Sequence, residues 1–297
     1  MKKLFFLKPG SNLLSLSLSL CLYVGLFVHP LNIEKAWGST FSTMNKPEIE
    51  VIAHRGFSSK TPENTMAAIK EAFHSGVSHI EIDVQLSKDG EVILLHDSSL
   101  DRTTNGYGKA SHKTLKQLKE LDAGSWFSSK FKGEKIPTLK EVLEWLPKED
   151  LTLIIEVKST AGTFGIESKI TSLIKEAGKS DQVWLKSFDK SVLHKFQKLT
   201  PDIPKVFVFV AHTETLGITL GTSLDWGNLF EELKSINVTY LQPHSFFLTK
   251  SLSKKLRSQG FKLIAWGVNS KRRLNQMVER KVDLIETDYP LWALKNL

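Results

Sequence analysis

Eight apolar, β-rich runs alternate with helix-period segments along this chain, and that alternation restricts the fold more than any other feature. The runs are 50–54 (EVIAH), 79–83 (HIEID), 152–158 (TLIIEVK), 182–187 (QVWLKS), 205–210 (KVFVFV), 238–242 (VTYLQ), 262–268 (KLIAWGV) and 283–287 (DLIET). Helical candidates cover 64–75, 138–146, 164–177, 189–199, 227–235, 249–259 and 270–280, with a last one after Pro290. Strand–helix alternation builds a parallel sheet, because parallel neighbours need a crossover connection. Eight such units close on themselves, so the expected fold is an α/β (β/α)8 barrel, or TIM barrel. Residues 46–297 match the roughly 250 residues of such a barrel, and no Pro/Ser-rich linker divides them, so one domain is expected.

One run is left over. VILLHD (92–97) follows EIDVQL through Lys88-Asp89-Gly90-Glu91, and Asp-Gly signals a two-residue hairpin turn. It is read as a β-hairpin excursion after the second strand, rising over the C-terminal mouth of the barrel. With Asp89 and Gly90 as the turn, Lys88 faces Glu91, Val84 faces Leu95 and Asp83 faces His96.

The first 38 residues differ from the rest. Lys2, Lys3 and Lys8 precede a Leu/Ser-rich run from Leu13 to Val28, and Ala36-Trp37-Gly38 places small residues at −3 and −1 of a cleavage site. Residues 1–38 are therefore expected to be a signal peptide, with a periplasmic or extracellular destination. The run is short of the ~20 apolar residues that span a bilayer; an uncleaved anchor over 13–28, with membrane contact through this segment alone, is the alternative. Cys21 lies in the run, so the mature chain is expected to hold no cysteine. Of the net charge of +8, the leader carries +3. The remaining lysines are spread along amphipathic segments such as HKTLKQLKEL with no aromatic–basic cluster, so nucleic acid is not expected as a partner. A mild positive field favours an anionic substrate.

Strand ends deliver the reactive residues to one mouth: His54 and Arg55 from the first, Glu81 and Asp83 from the second, His96 from the excursion, Glu156 and Lys158 from the third. Glu81 and Asp83 share a strand face because they are two apart, as do Glu156 and Lys158. Three converging carboxylates repel one another, and a divalent cation relieves this; oxygen ligands favour Mg²⁺, Ca²⁺ or Mn²⁺ over Zn²⁺. Arg55 and Lys158 suit a phosphate bridging toward the metal. Singly, each feature has a plain alternative: a loop histidine, an exposed strand face, an ordinary ion pair. Together they are hard to assign to packing, because charged groups are rarely buried unless paired or coordinated. Glu63, in PENT, either braces the metal shell or joins Thr61 and Asn64 in capping the first helix. Trp266 either packs against substrate carbons at the mouth or is a core residue. The long segment 211–230 after the fifth strand is expected to wall the site or to cover the barrel.

In order, the segments AHRGFSSKTPENT, EIDVQLSKDGEVILLHDSSLDRTTNGYG, IPTLKEVLEWL, LIIEVK, AWGVN and ETDYP resemble the glycerophosphodiester phosphodiesterase family over residues 51–291. The resemblance implies a TIM barrel and hydrolysis of small-molecule glycerophosphodiesters to glycerol 3-phosphate and an alcohol. It implies one divalent cation on Glu81, Asp83 and Glu156, catalytic histidines at His54 and His96, and phosphate contacts from Arg55 and Lys158. Two positions depart from the family pattern: AWGVN stands where Trp-Thr-Val-Asn is more usual, and Glu286 replaces an apolar or small residue. Which histidine is acid and which is base stays open, as does water against the glycerol 2-hydroxyl as nucleophile. Two rival functions remain: a phospholipase D-type or phosphoinositide-lyase-type enzyme acting on (lyso)phospholipids at a membrane, which should show an exposed apolar rim, and a barrel that binds phosphodiesters without turnover.

Overall fold

The computed structural model describes residues 49–148, 150–158, 165–210 and 226–297. The leader, with its signal or anchor, and residues 211–225 of the long segment lie outside the described residues. Nine strands are present in that range: β1 (Glu50–Ala53), β2 (His79–Leu86), β3 (Val92–Leu94), β4 (Thr152–Val157), β5 (Val183–Ser187), β6 (Lys205–Phe209), β7 (Val238–Pro243), β8 (Lys262–Trp266) and β9 (Leu284–Thr287). All but β3 pair in parallel, in the order β1-β9-β8-β7-β6-β5-β4-β2, and β1 also pairs with β2. The expected eight-stranded barrel therefore closes between the first and last strands.

Local sequence explains where helices start. Thr65 caps Met66–His74 by accepting from the Ala68 amide, and Thr138 forms a capping box with Glu141 at the start of Leu139–Trp145. Thr61 and Asn64 are not the cap of the first helix, contrary to that expectation: Thr65 is the residue with extended backbone immediately before the helical turn.

Inside the barrel, side chains two apart on each strand point the same way, and the interior changes character between successive layers. Ile52, Ile154, Val206, Tyr240, Ile264 and Leu284 form a closed apolar layer with Trp184 packed against it. Two residues further along the same strands come His54, Glu156, Lys186, Gln242, Trp266 and Glu286. The apolar layer thus floors a polar mouth. The larger core lies outside the ring, between strands and helices.

The hairpin differs from expectation by one residue. Val84 pairs with Leu94, Gln85 with Ile93 and Leu86 with Val92. Gly90 adopts φ +82°, and the Ser87 amide donates to the Glu91 carbonyl, so the turn has three central residues, Lys88-Asp89-Gly90, instead of two. Leu95, not His96, then lies opposite Asp83, its amide donating to the Asp83 carbonyl. The excursion is also larger than a hairpin. On its far side β3 meets Pro137 and Thr138, and the chain between folds over a second small core of Ile93, Leu95, Leu100, Ala110, Leu118, Ala123 and Ile136.

Candidate active site

The question is why a strand should end in His54-Arg55-Gly56. Gly56 has φ +76°, and a Cβ there would lie 2.6 Å from the Ala68 backbone, so only glycine lets this loop pass beneath the first helix. Arg55 itself takes a left-handed φ of +56°, an uncommon conformation for a side-chain-bearing residue. Its amide donates to Glu81 Oε2 at 3.0 Å, so the strained backbone contacts the acidic cluster directly.

Glu81, Asp83 and Glu156 are buried and offer carboxylate oxygens within 4.8 Å of one another. Protein cations surround them. Asp83 lies 3.2 Å from Arg55 Nε and 3.3 Å from Lys158 Nζ, and Lys158 also reaches Glu156 at 3.7 Å. Asn64 fixes Asp83 twice, donating to Oδ2 and accepting from the Asp83 amide. Burial raises the Asp83 pKa, but Lys158 and Arg55 outweigh it and hold the carboxyl well below its usual range. Glu81 moves the other way: burial, with Asp83 and Glu286 adding, pushes it up against the pull of Lys186. Among the described residues Glu81 Oε1 is buried with no hydrogen bond, its nearest cation being Lys186 Nζ at 3.4 Å. An acceptor left open in an all-oxygen donor set fits a hard divalent cation, and these three residues are able to hold one.

The two histidines have contrasting surroundings. His54 Nδ1 bonds Asp288 Oδ1 at 2.6 Å, and Asp288 is held in turn by Ser58 and Asn269. Burial lowers the imidazole pKa, but Asp288, Glu286 and Glu81 overcome it and raise it to about 9. His96 Nδ1 bonds Asp97 Oδ1 at 2.6 Å, yet its pKa falls: burial is the largest cause, Arg55 and Lys158 add to it, and Asp83 and Asp97 only partly oppose it. The surroundings thus bias the two imidazoles in opposite directions, His54 upward and His96 downward.

Glu63 does not cap the helix; it braces the acidic cluster through Arg55, whose Nε lies 3.2 Å from Asp83. It accepts from Arg55 Nη1 and, through both oxygens, from Arg102 Nη1 and Nη2, all at 2.8 Å. Arg102 Nε also binds Asp97 at 2.6 Å, so one guanidinium from the excursion ties together the supports of Arg55 and His96. Trp266 stands at the mouth, edge-on to His244 and Phe188, with its indole N–H buried and unpartnered. A cavity of about 860 Å³ opens beside His96 and Lys158, walled by Phe188, Phe207, His194 and Glu232. All eight sequence-chosen residues thus reach the same end of the barrel. Asp288, Arg102, Lys186, Glu286 and Gln242 also serve the mouth. Asp288 and Arg102 fall within ETDYP and DRTTNG, whereas Lys186 was visible only as a lysine in an apolar run.

A parallel barrel with clustered acids, two histidines and phosphate-suited cations at its C-terminal mouth has the form of a metal-assisted phosphodiesterase. The chain belongs to the glycerophosphoryl diester phosphodiesterase family, whose model matches residues 54–291. It is 37% identical to a glycerophosphodiester phosphodiesterase of Caldanaerobacter subterraneus over 241 residues, covering 81% of this chain and 94% of the relative. It is 33% identical to a glycerophosphodiester phosphodiesterase of Bacillus subtilis, covering 83% of this chain and 86% of that one. A solved phosphodiesterase of Oleispira antarctica, in complex with the product sn-glycerol-3-phosphate, superposes with a TM-score of 0.72 at 29% identity, covering 83% of this chain and 96% of the other.

Proposed function

We propose that this protein hydrolyses glycerophosphodiesters to sn-glycerol 3-phosphate and a free alcohol, with His96 as general base and His54 as general acid. The observation that carries the assignment is the contrast in partners: His54 bonds Asp288 and faces Glu286, whereas His96 shares Asp97 with the Arg102 guanidinium. His96 takes a proton from the nucleophile as its oxygen bonds phosphorus; the bond from phosphorus to the alcohol oxygen breaks, and imidazolium His54 protonates that oxygen. Asp288 keeps the His54 ring oriented and charged. Arg55 and Lys158 balance charge on the non-bridging phosphoryl oxygens, exchanging part of their hold on Asp83 for the substrate. Glu81, Asp83 and Glu156 hold one divalent cation, Mg²⁺ or Ca²⁺ by their all-oxygen character with Mn²⁺ also suited, and a bound ion supplies Lewis-acid polarisation of the phosphoryl group. Trp266 packs against the glycerol carbons, and the cavity beside His96 receives the alcohol.

The test is release of glycerol 3-phosphate from glycerophosphocholine and glycerophosphoethanolamine without detergent, with and without divalent cation. No release under any metal condition defeats the assignment. A second reading, action on phospholipids at a membrane, draws on Phe188, Phe246 and Tyr289, which stand exposed in the loops after β5, β7 and β9. It predicts turnover of lysophospholipid vesicles above that of the soluble diesters. Residues 1–38 act as an export signal in this proposal, and N-terminal sequencing of protein recovered outside the cytoplasm should start near Ser39. Full-length protein held on membranes points to the anchor over 13–28.

A further inference from the structure

Beside the three carboxylates the barrel holds a fourth, together with a sealed ammonium. The side chains of Lys186 and Glu286 are each only 2% exposed. Lys186 Nζ lies 2.8 Å from Glu286 Oε2, 3.1 Å from Glu156 Oε2 and 3.4 Å from Glu81 Oε1. Gln242 Nε2 also donates to Glu286 Oε2 at 2.8 Å. An ammonium has three donors and no acceptor, and here three carboxylates surround it. Two of the three are candidate metal ligands.

The cations around the acids divide into two kinds. Arg55 and Lys158 are partly exposed on the open side and can turn toward a phosphate. Lys186 cannot, because the apolar floor and the strands enclose it. A buried ammonium needs compensating partners, and Glu286, Glu156 and Glu81 stand within 2.8–3.4 Å of it. A lysine that served only to neutralise Glu286 would need one of its contacts. This one spans from Glu286 to both Glu81 and Glu156.

We propose that Lys186 is a positioning residue for the metal site, holding Glu81 and Glu156 in ligating arrangement before a cation arrives. Glu286, oriented by Gln242, is its counter-charge, so this hold adds no net positive charge beside the ion. The inference rests on the reading that Glu81, Asp83 and Glu156 bind a divalent cation. Outer-shell groups that orient ligands change metal affinity by about 10–100-fold when removed.

The test removes the pair together, so that net charge is unchanged and charge alone predicts no effect. Full-length wild type, K186M/E286L and the more conservative K186Q/E286Q are stripped with chelator and titrated calorimetrically with Mg²⁺ and with Ca²⁺. Glycerophosphocholine turnover is then measured at saturating ion. Both variants should show a dissociation constant raised about tenfold or more; because Glu286 also faces His54, turnover at saturating ion is read at each protein's own pH optimum. A purely structural pair would leave the dissociation constant where it was, and that result, in whichever variant folds, overturns the inference. Wild-type protein that binds neither ion overturns the metal reading as well, so the two failures are distinguishable.

Discussion

Changing Asp288 to Asn removes one charge from beside the His54 ring while keeping the shape of the side chain. The 2.6 Å contact to Nδ1 is a hydrogen bond between charged groups, of the kind worth about 1.5–3 kcal/mol net. The asparagine carbonyl still accepts from Nδ1, and the Asp288 side chain is 34% exposed, so water screens part of the interaction. The lower end of the range applies, and at about 1.4 kcal/mol per unit the His54 pKa should fall by about one unit, from about 9. Because His54 must be protonated to act as the acid, the alkaline limb of kcat/KM against pH should move down by that amount, while the acid limb, set by His96, stays in place. The assay uses glycerophosphocholine, whose poor leaving group needs an acid, at saturating divalent ion in both proteins. A bound cation lowers His54 in each, so the difference between the two profiles is the measured quantity. Stability gives a second readout. His54 is raised above its ordinary value of 6.5, so its contribution is fully present below about pH 6.5 and is lost as pH rises through about 9. The stability cost of Asp288→Asn should accordingly be largest near pH 6 and fade above pH 9. An unmoved alkaline limb, or movement of the acid limb alone, refutes the assignment of His54 as the acid.

Three further outcomes are expected. Glu156→Gln, which loses a ligand oxygen and weakens the contacts to Lys158 and Lys186, should reduce divalent affinity at least about tenfold in calorimetry with the fold retained; exhaustive chelation should abolish wild-type turnover and one added divalent ion restore it. His54→Ala and His96→Ala should each lower kcat on glycerophosphocholine by roughly 10²–10⁴, and near-normal kcat in a folded variant removes that residue from the mechanism. Gly56→Ala should cost at least about 1–2 kcal/mol in urea unfolding from the left-handed backbone alone, plus the 2.6 Å clash with Ala68; a loss below about 0.5 kcal/mol would show that the loop relaxes freely.

The barrel and its cluster of three acids were readable from sequence because both depend on short periods. Strand and helix alternate in runs long enough to show their periodicity, and Glu81 with Asp83 must share a face whatever the tertiary arrangement. The hairpin register was not, since Asp89-Gly90 suits a two-residue turn equally well; the left-handed Gly90 in a three-residue turn decided it. Lys186 was missed for a different reason. On an isolated strand a lysine between Leu185 and Ser187 reads as an outward-facing residue, and the partner that makes its burial tolerable is 100 positions away. Glu286 was noticed as unusual, but without its lysine it had no role. Glu63 was recognised as bracing the acidic shell or capping the helix, and the first holds through Arg55; its second partner, Arg102, was not foreseen because it approaches from the excursion, 39 residues distant.

The pairing of β1 with β9 has a consequence for when the chain becomes an enzyme. His54 and Asp288 are joined by a hydrogen bond that spans 234 residues, and the His54 amide itself bonds the Thr287 carbonyl. Contacts of such sequence separation bear the full entropy of loop closure and form late in folding. On a ribosome the last strand emerges after everything else, so the nascent barrel can carry its carboxylates and both histidines and still lack a charged, oriented acid. Turnover would then appear as a step at the final zippering of the ring, making catalytic activity a reporter of barrel closure rather than of secondary structure or collapse.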